Sequence, residues 1–146
     1  MNKKVEDLKV YIAQNNLNNF KVEDSKESDS GEIIKTNFHT YIKVFGQNIP
    51  AIIVVDDSIY TTIRVQVISD IQYTKNKEGF MNCINEMNIS YKAVKYYLGA
   101  DNGLYLDMYI PGRSDGLDCE LVMELIDAIK SHLEKEYPNW MKLLWN

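Results

Sequence analysis

"YYLGADNGLYLDMYIPG", residues 96–112, places two runs of alternating large residues on either side of Asp101-Asn102-Gly103, which is the pattern of a β-hairpin. Asn102-Gly103 alone suits a two-residue type I′ turn, but that register sets Leu98 against Asp107 and Tyr97 against Met108, mixing core and polar residues on both faces. A three-residue loop, Asp101-Asn102-Gly103, instead pairs Leu98 with Leu106, Tyr96 with Met108 and Val94 with Ile110. Tyr97 then faces Asp107, Lys95 faces Tyr109, and Gly103 takes the left-handed position. This register is the expectation, with Tyr96 on the core side and Tyr97, Tyr105 and Tyr109 on the other. Tyr105 should cover the backbone that Gly99 leaves bare.

Tyrosines on a half-exposed face have two readings. They are cross-strand pairs worth ~0.2–1 kcal/mol each on an ordinary wet surface, or they form a recognition surface, because tyrosine is favoured at binding hot spots.

Upstream of the hairpin, Val5, Leu8 and Ile12 recur at helical spacing, and the asparagines of "NNLNN" (15–19) should close that helix. A short strand is expected at Phe20-Lys21-Val22, followed by a mobile polar loop, "EDSKESDSGE" (23–32). From Ile34 the period becomes two: Ile34, Thr36, Phe38, Thr40, Ile42 and Val44 share one face, while Lys35, Asn37, His39, Tyr41 and Lys43 share the other. Ala51–Val55 is apolar on both faces and reads as an interior strand, with Pro50 at its entrance. "TTIRVQVIS" turns Thr61, Ile63, Val65 and Val67 inward, completing an antiparallel meander.

A short helix over 76–88 carries Phe80, Cys83, Ile84 and Met87 on one stripe. A longer one after Asp118, its N-cap, carries Leu121, Val122, Leu125, Ile126, Ile129 and Leu133, and Pro138 should end or kink it. The fold class is therefore α+β: an antiparallel meander plus a C-terminal hairpin, with an N-terminal helix, a short middle helix and a long C-terminal helix packed on one face. Residues 1–146 should form a single domain.

The tail "YPNWMKLLWN" (137–146) crowds Trp140, Met141, Leu143, Leu144 and Trp145 where termini are normally polar. Either it folds back to close the core, or it completes a dimer or partner groove.

The chain carries 21 acidic and 16 basic residues, a formal net charge of -5, which disfavours nucleic acid and suits a basic protein partner. No run is long and apolar enough to span a bilayer, and the first residues lack the apolar stretch of a secretory signal, so a cytoplasmic protein is expected. Cys83 and Cys119 are far apart and read as small buried apolar residues. Nucleophile, phosphate-loop, dinucleotide and metalloprotease motifs are all missing, so no enzyme, cofactor or metal is expected. His39 reads as a surface histidine and His132 as a favourable charge near a helix C-terminus. Asp56-Asp57 and Asp118 read as turn and cap residues.

The stretch "FMNCINEMNISYKAVKYYLGADNGLYLDMYIP" (80–111), followed by the amphipathic 118–136 segment, resembles the YbjN family and the related type III secretion chaperone-like fold. There a helix ending in Leu/Ile-Asn-x-x-Asn precedes a β-hairpin, and Ile84-Asn85-Glu86-Met87-Asn88 stands in that place. The Trp-rich tail and the polar 23–32 segment depart from the pattern. The resemblance implies a small non-enzymatic protein, often dimeric, that binds other polypeptides or acts as a regulator. The expected function is thus a chaperone- or adaptor-like protein-binding module, a homodimer, with Tyr97, Tyr105, Tyr109, Trp140 and Trp145 contacting the partner. The alternative is a small acidic inhibitor or immunity protein that blocks a toxin or nuclease. That reading requires acidic side chains clustered on one face.

Overall fold

A computed structural model describes residues 2–27, 29–113 and 115–145. The chain runs α1 (Lys3–Gln14), β1 (Lys21–Lys26), β2 (Ile33–Val44), β3 (Gln47–Asp56), β4 (Tyr60–Ile68), α2 (Lys77–Ser90), β5 (Lys95–Leu98), β6 (Leu104–Pro111) and α3 (Cys119–Trp145). All strands are antiparallel, in the order β1-β2-β3-β4-β6-β5. Period-two burial holds along β2, β3 and β4, so Phe38, Ile42, Ile53, Val55, Ile63 and Val65 line one side. The three helices cover that side, and the α+β architecture is the one the pattern predicts.

The hairpin keeps its expected faces but not its expected register. The observed pairs are Lys95 with Asp107, Tyr96 with Leu106, Tyr97 with Tyr105 and Leu98 with Leu104, two residues away from the expected pairing. A shift of two returns each side chain to the same face, so the hydrophobic pattern could not distinguish the two registers. Local chemistry does. Gly99 and Gly103 face each other across the loop Ala100-Asp101-Asn102, with Gly99 N–H donating to Gly103 O at 2.9 Å. Asn102, not Gly103, takes the left-handed conformation, at φ 64°. Asp101 Oδ1 accepts from Gly103 N–H at 2.9 Å. The Tyr105 ring lies over both glycines, where a Cβ would come within 2.7 Å at Gly99 and 2.9 Å at Gly103.

Several local expectations are corrected. The strand β1 continues through Glu23–Lys26, a stretch expected to be loop, because it pairs with β2 and Thr36 donates to Asp24 Oδ1 at 2.7 Å. Its charged composition is that of a protected sheet edge. Pro50 lies within β3 rather than at its entrance, at a point where the strand pairs with β2 but not yet with β4. The helix α3 passes through Pro138 to Trp145, because burial of Tyr137 and Trp140 holds the turns on both sides of the missing donor. Two residues expected to face inward are exposed, Leu121 on α3 and Ile34 on β2, where the β1–β2 register shifts between Ser25 and Lys26 and leaves Ile34 unpaired with β1.

Other local signals held. Asn16 adopts a left-handed φ of 53° just past α1, and Asp118 Oδ1 accepts from Leu121 N–H at 3.1 Å as an N-cap. No described helix is long and apolar enough to cross a membrane.

Candidate functional site

The side of the sheet away from the helices presents the tyrosines predicted to share a face. Its centre is Asp107, only 1% exposed although it lies on the open side. Arg64, its cross-strand neighbour on β4, reaches it through two parallel bonds, Nε to Oδ1 at 3.0 Å and Nη2 to Oδ2 at 2.9 Å. The Tyr97 hydroxyl donates to Oδ1 at 3.1 Å and the Tyr109 hydroxyl to Oδ2 at 2.9 Å. All four acceptor positions of the carboxylate are therefore engaged. Such a group orients its neighbours and has no free lone pair with which to act as a general base.

Around this clasp the rings pack on one another. Tyr97 stacks on Tyr105 at 5.6 Å between centroids, Tyr60 meets Tyr109 edge-on at 6.4 Å, and Lys95 Nζ sits 5.3 Å from the Tyr97 centroid. Tyr105 O–H donates to Asp101, and Gln66 Nε2 donates to the same hydroxyl at 3.2 Å. Burial, and then the Asp107 charge, push the Tyr97 phenol up to about 12. Hydrogen bonding to Asp107 holds the Arg64 guanidinium above its ordinary value. The Tyr105 hydroxyl and the Gly103 N–H stabilise the Asp101 carboxylate and lower its pKa.

The five residues expected to contact a partner divide. Tyr97, Tyr105 and Tyr109 come together on the open side, half-buried or exposed. Trp140 does not join them: it is 0% exposed, stacked on Phe80 at 5.8 Å and packed against Tyr96 at 4.9 Å, so it has no surface to offer. Trp145 is 79% exposed at the far end of α3. The tail thus closes the core with one tryptophan and leaves the other in solvent.

Under the helices lies a second polar cluster. The Tyr96 hydroxyl sits 2.8 Å from His132 Nε2, Tyr91 O–H donates to Glu136 Oε1 at 2.8 Å, and Asn139 Nδ2 donates to Oε2 at 3.1 Å. His132 is half-buried in mid-helix rather than a charge at a C-terminus, and burial lowers its pKa. Asn88 uses both ends of its amide on the Tyr96 backbone, accepting from N–H at 2.8 Å and donating to C=O at 3.1 Å. It occupies the outer edge of β5 as a neighbouring strand would, a role that the Asn-x-x-Asn spacing did not disclose.

Arg64, Asp107 and Gln66 were not expected as site residues. An Arg–Asp pair 43 positions apart becomes visible only once β4 is known to neighbour β6. Among the described residues no group of three or more His, Cys, Asp or Glu side chains is arranged to hold a metal ion. Hollows of about 460 and 490 Å³ lie elsewhere, one between α1 and the β1–β2 hairpin, the other beside Tyr73 and Trp145. No protein-family model matches the chain, and no curated protein proves to be a relative.

Proposed function

We propose that the chain is a non-enzymatic, cytoplasmic protein-binding module, chaperone- or adaptor-like, that engages its partner through the open side of the sheet. The observation that carries this reading is the saturated Asp107 clasp. Four bonds to one buried carboxylate fix Arg64, Tyr97 and Tyr109 before any partner arrives, so little side-chain entropy remains to be lost on binding. The likeness to the YbjN and secretion-chaperone fold points to the same class of activity. Homodimerisation belongs to this reading too, with the exposed Trp145 as the side chain free to support it.

The acidic-inhibitor alternative draws on a different region. Charges outside the open side comprise eleven cations and seventeen carboxylates, so the acidic excess lies with the helices, loops and ends. One experiment separates the two. A photo-crosslinking residue replaces exposed Tyr41 on the open side or exposed Val10 on α1, in the native cell. A specific protein adduct from position 41 and none from position 10 is expected. Adducts from position 10 alone would favour the inhibitor.

A further inference from the structure

The charge of the open side runs against that of the molecule. Its cations are Lys21, Lys35, Lys43, Arg64 and Lys95, set on that side by the strand registers. Its carboxylates are Glu23, Asp56, Asp101, which accepts from the Tyr105 hydroxyl, and Asp107, which is already neutralised by Arg64. A chain of net charge -5 therefore carries an excess of one positive charge on this side and of six negative charges elsewhere. One cross-strand row reads Lys95, Asp107, Arg64, Ile52, His39, Lys21, and the next reads Tyr109, Thr62, Val54, Asn37, Glu23. Arg64 and Lys21 thus flank Ile52 along one row, beside an apolar centre that continues through Val54 and Pro50, while the Val54 row ends in Glu23.

We infer that the occupant of this surface is an acidic polypeptide segment with interspersed apolar side chains, laid across the strands so that carboxylates meet the lysines and Arg64 while apolar groups cover Ile52 and Val54. The inference rests on the binding role proposed above and adds the chemistry of the partner. Arg64 spends Nε and Nη2 on Asp107, yet its side chain is 37% exposed, so the outer edge of the guanidinium can meet a second carboxylate. Single-stranded nucleic acid fits less well. Base stacking needs free ring faces, whereas Tyr97 is stacked on Tyr105, and Lys95 lies over Tyr97 and Tyr109. A second copy docked open side to open side would bring two positive surfaces together.

The test uses the full chain and four fluorescent probes: a peptide alternating glutamate with leucine and valine, the same peptide with lysine for glutamate, an oligothymidylate of equal length, and phosphatidylserine vesicles. Lys35, Lys43 and Lys95 are all exposed, so the triple variant Lys35→Glu/Lys43→Glu/Lys95→Glu should fold, which circular dichroism checks. The acidic peptide is expected to bind about tenfold tighter than its lysine counterpart, and to lose about tenfold in the triple variant and again on raising salt. Equal binding of the two peptides, tighter binding of oligothymidylate or vesicles, no binding by any probe, or no effect of the triple variant overturns the inference. Crosslinks from position 41 that survive the charge reversal would sink the acidic preference and leave the binding side standing. Crosslinks confined to position 10 would remove both.

Discussion

On the open side of the β5–β6 hairpin a buried carboxylate, Asp107, lies under Tyr97 and Tyr109; on the covered side another, Glu136, sits beside Tyr91, with His132 between Tyr91 and Tyr96. The carboxylate that faces outward has a cation, gripped by two bonds from Arg64. The inward one is held by neutral donors, a phenol and an amide, next to an imidazole whose protonation burial opposes. A clasp that balances its own charge stays ordered where solvent and partners arrive. A carboxylate held by neutral donors suits the interior, while the imidazole beside it is kept neutral by burial. The hairpin carries tyrosine on both faces because phenols serve both purposes.

The largest expected effect lies on the covered side. Trp140→Ala removes a ring packed against Phe80 and Tyr96 and should cost about 3–5 kcal/mol in urea unfolding. Trp145→Ala, at the exposed end of the same helix, should stay within about 0.5 kcal/mol. Equal costs would mean that the tail does not close the core. On the open side, Asp107→Ala should cost about 2–3 kcal/mol, the low end for a buried pair because the Arg64 side chain is 37% exposed and can return to water. That variant should also weaken any partner captured at position 41, since Tyr97 and Tyr109 lose the acceptor that aims them.

What the sequence disclosed follows from the same contrast. Period-two alternation is a local property, so the faces of β2, β4 and the hairpin were readable, as was the tyrosine side. The hairpin register was not, because two registers that differ by two residues satisfy one pattern. The loop chemistry separates them: the Gly99–Gly103 bond, the left-handed Asn102, the Asp101 acceptor and the fit of Tyr105 over both glycines. Glu23–Lys26 read as loop because an edge strand needs no apolar side chains, only a neighbour to bond. The clasp stayed hidden, since Arg64 and Asp107 meet only through non-local pairing, and Asn88 gave no sign that its amide would cap a strand edge. Pro138 misled for a related reason: local propensity ends a helix there, and burial of Trp140 on the core overrides it.

Acid should act on the covered side first. Burial depresses the His132 pKa below its unfolded value, so the unfolded chain binds the proton more readily. The associated stability is complete above about pH 6.5 and is lost as pH falls through the folded value. Glu136, Lys135, Tyr91 and Tyr96 are the groups around it, with the Tyr96 hydroxyl 2.8 Å from Nε2. His132→Gln should flatten the acid limb of a stability–pH profile, whereas Lys95→Ala on the open side should leave its shape unchanged. An acid limb that survives His132→Gln would place the sensitive group elsewhere.

A modest effect is expected on the open side at the other end of the pH scale. Tyr97→Phe keeps the ring stacked on Tyr105 and removes one of four donors to Asp107, leaving Arg64 and Tyr109 in place. A single such bond contributes about 0.5–1.5 kcal/mol, so the variant should fold with a modestly lower denaturation midpoint. Its signature is alkaline. The Tyr97 phenol, pushed up to about 12, holds its proton in the folded chain after the unfolded chain has released it, so stability falls as pH rises from the ordinary tyrosine value towards 12. Tyr97→Phe deletes that contribution, and an absorbance titration of the phenolates should lose a late component while the alkaline stability limb becomes shallower. Were the late component to persist unchanged, Tyr97 would not lie over Asp107, and the clasp on which the open side depends would have to be redrawn around Arg64 and Tyr109 alone.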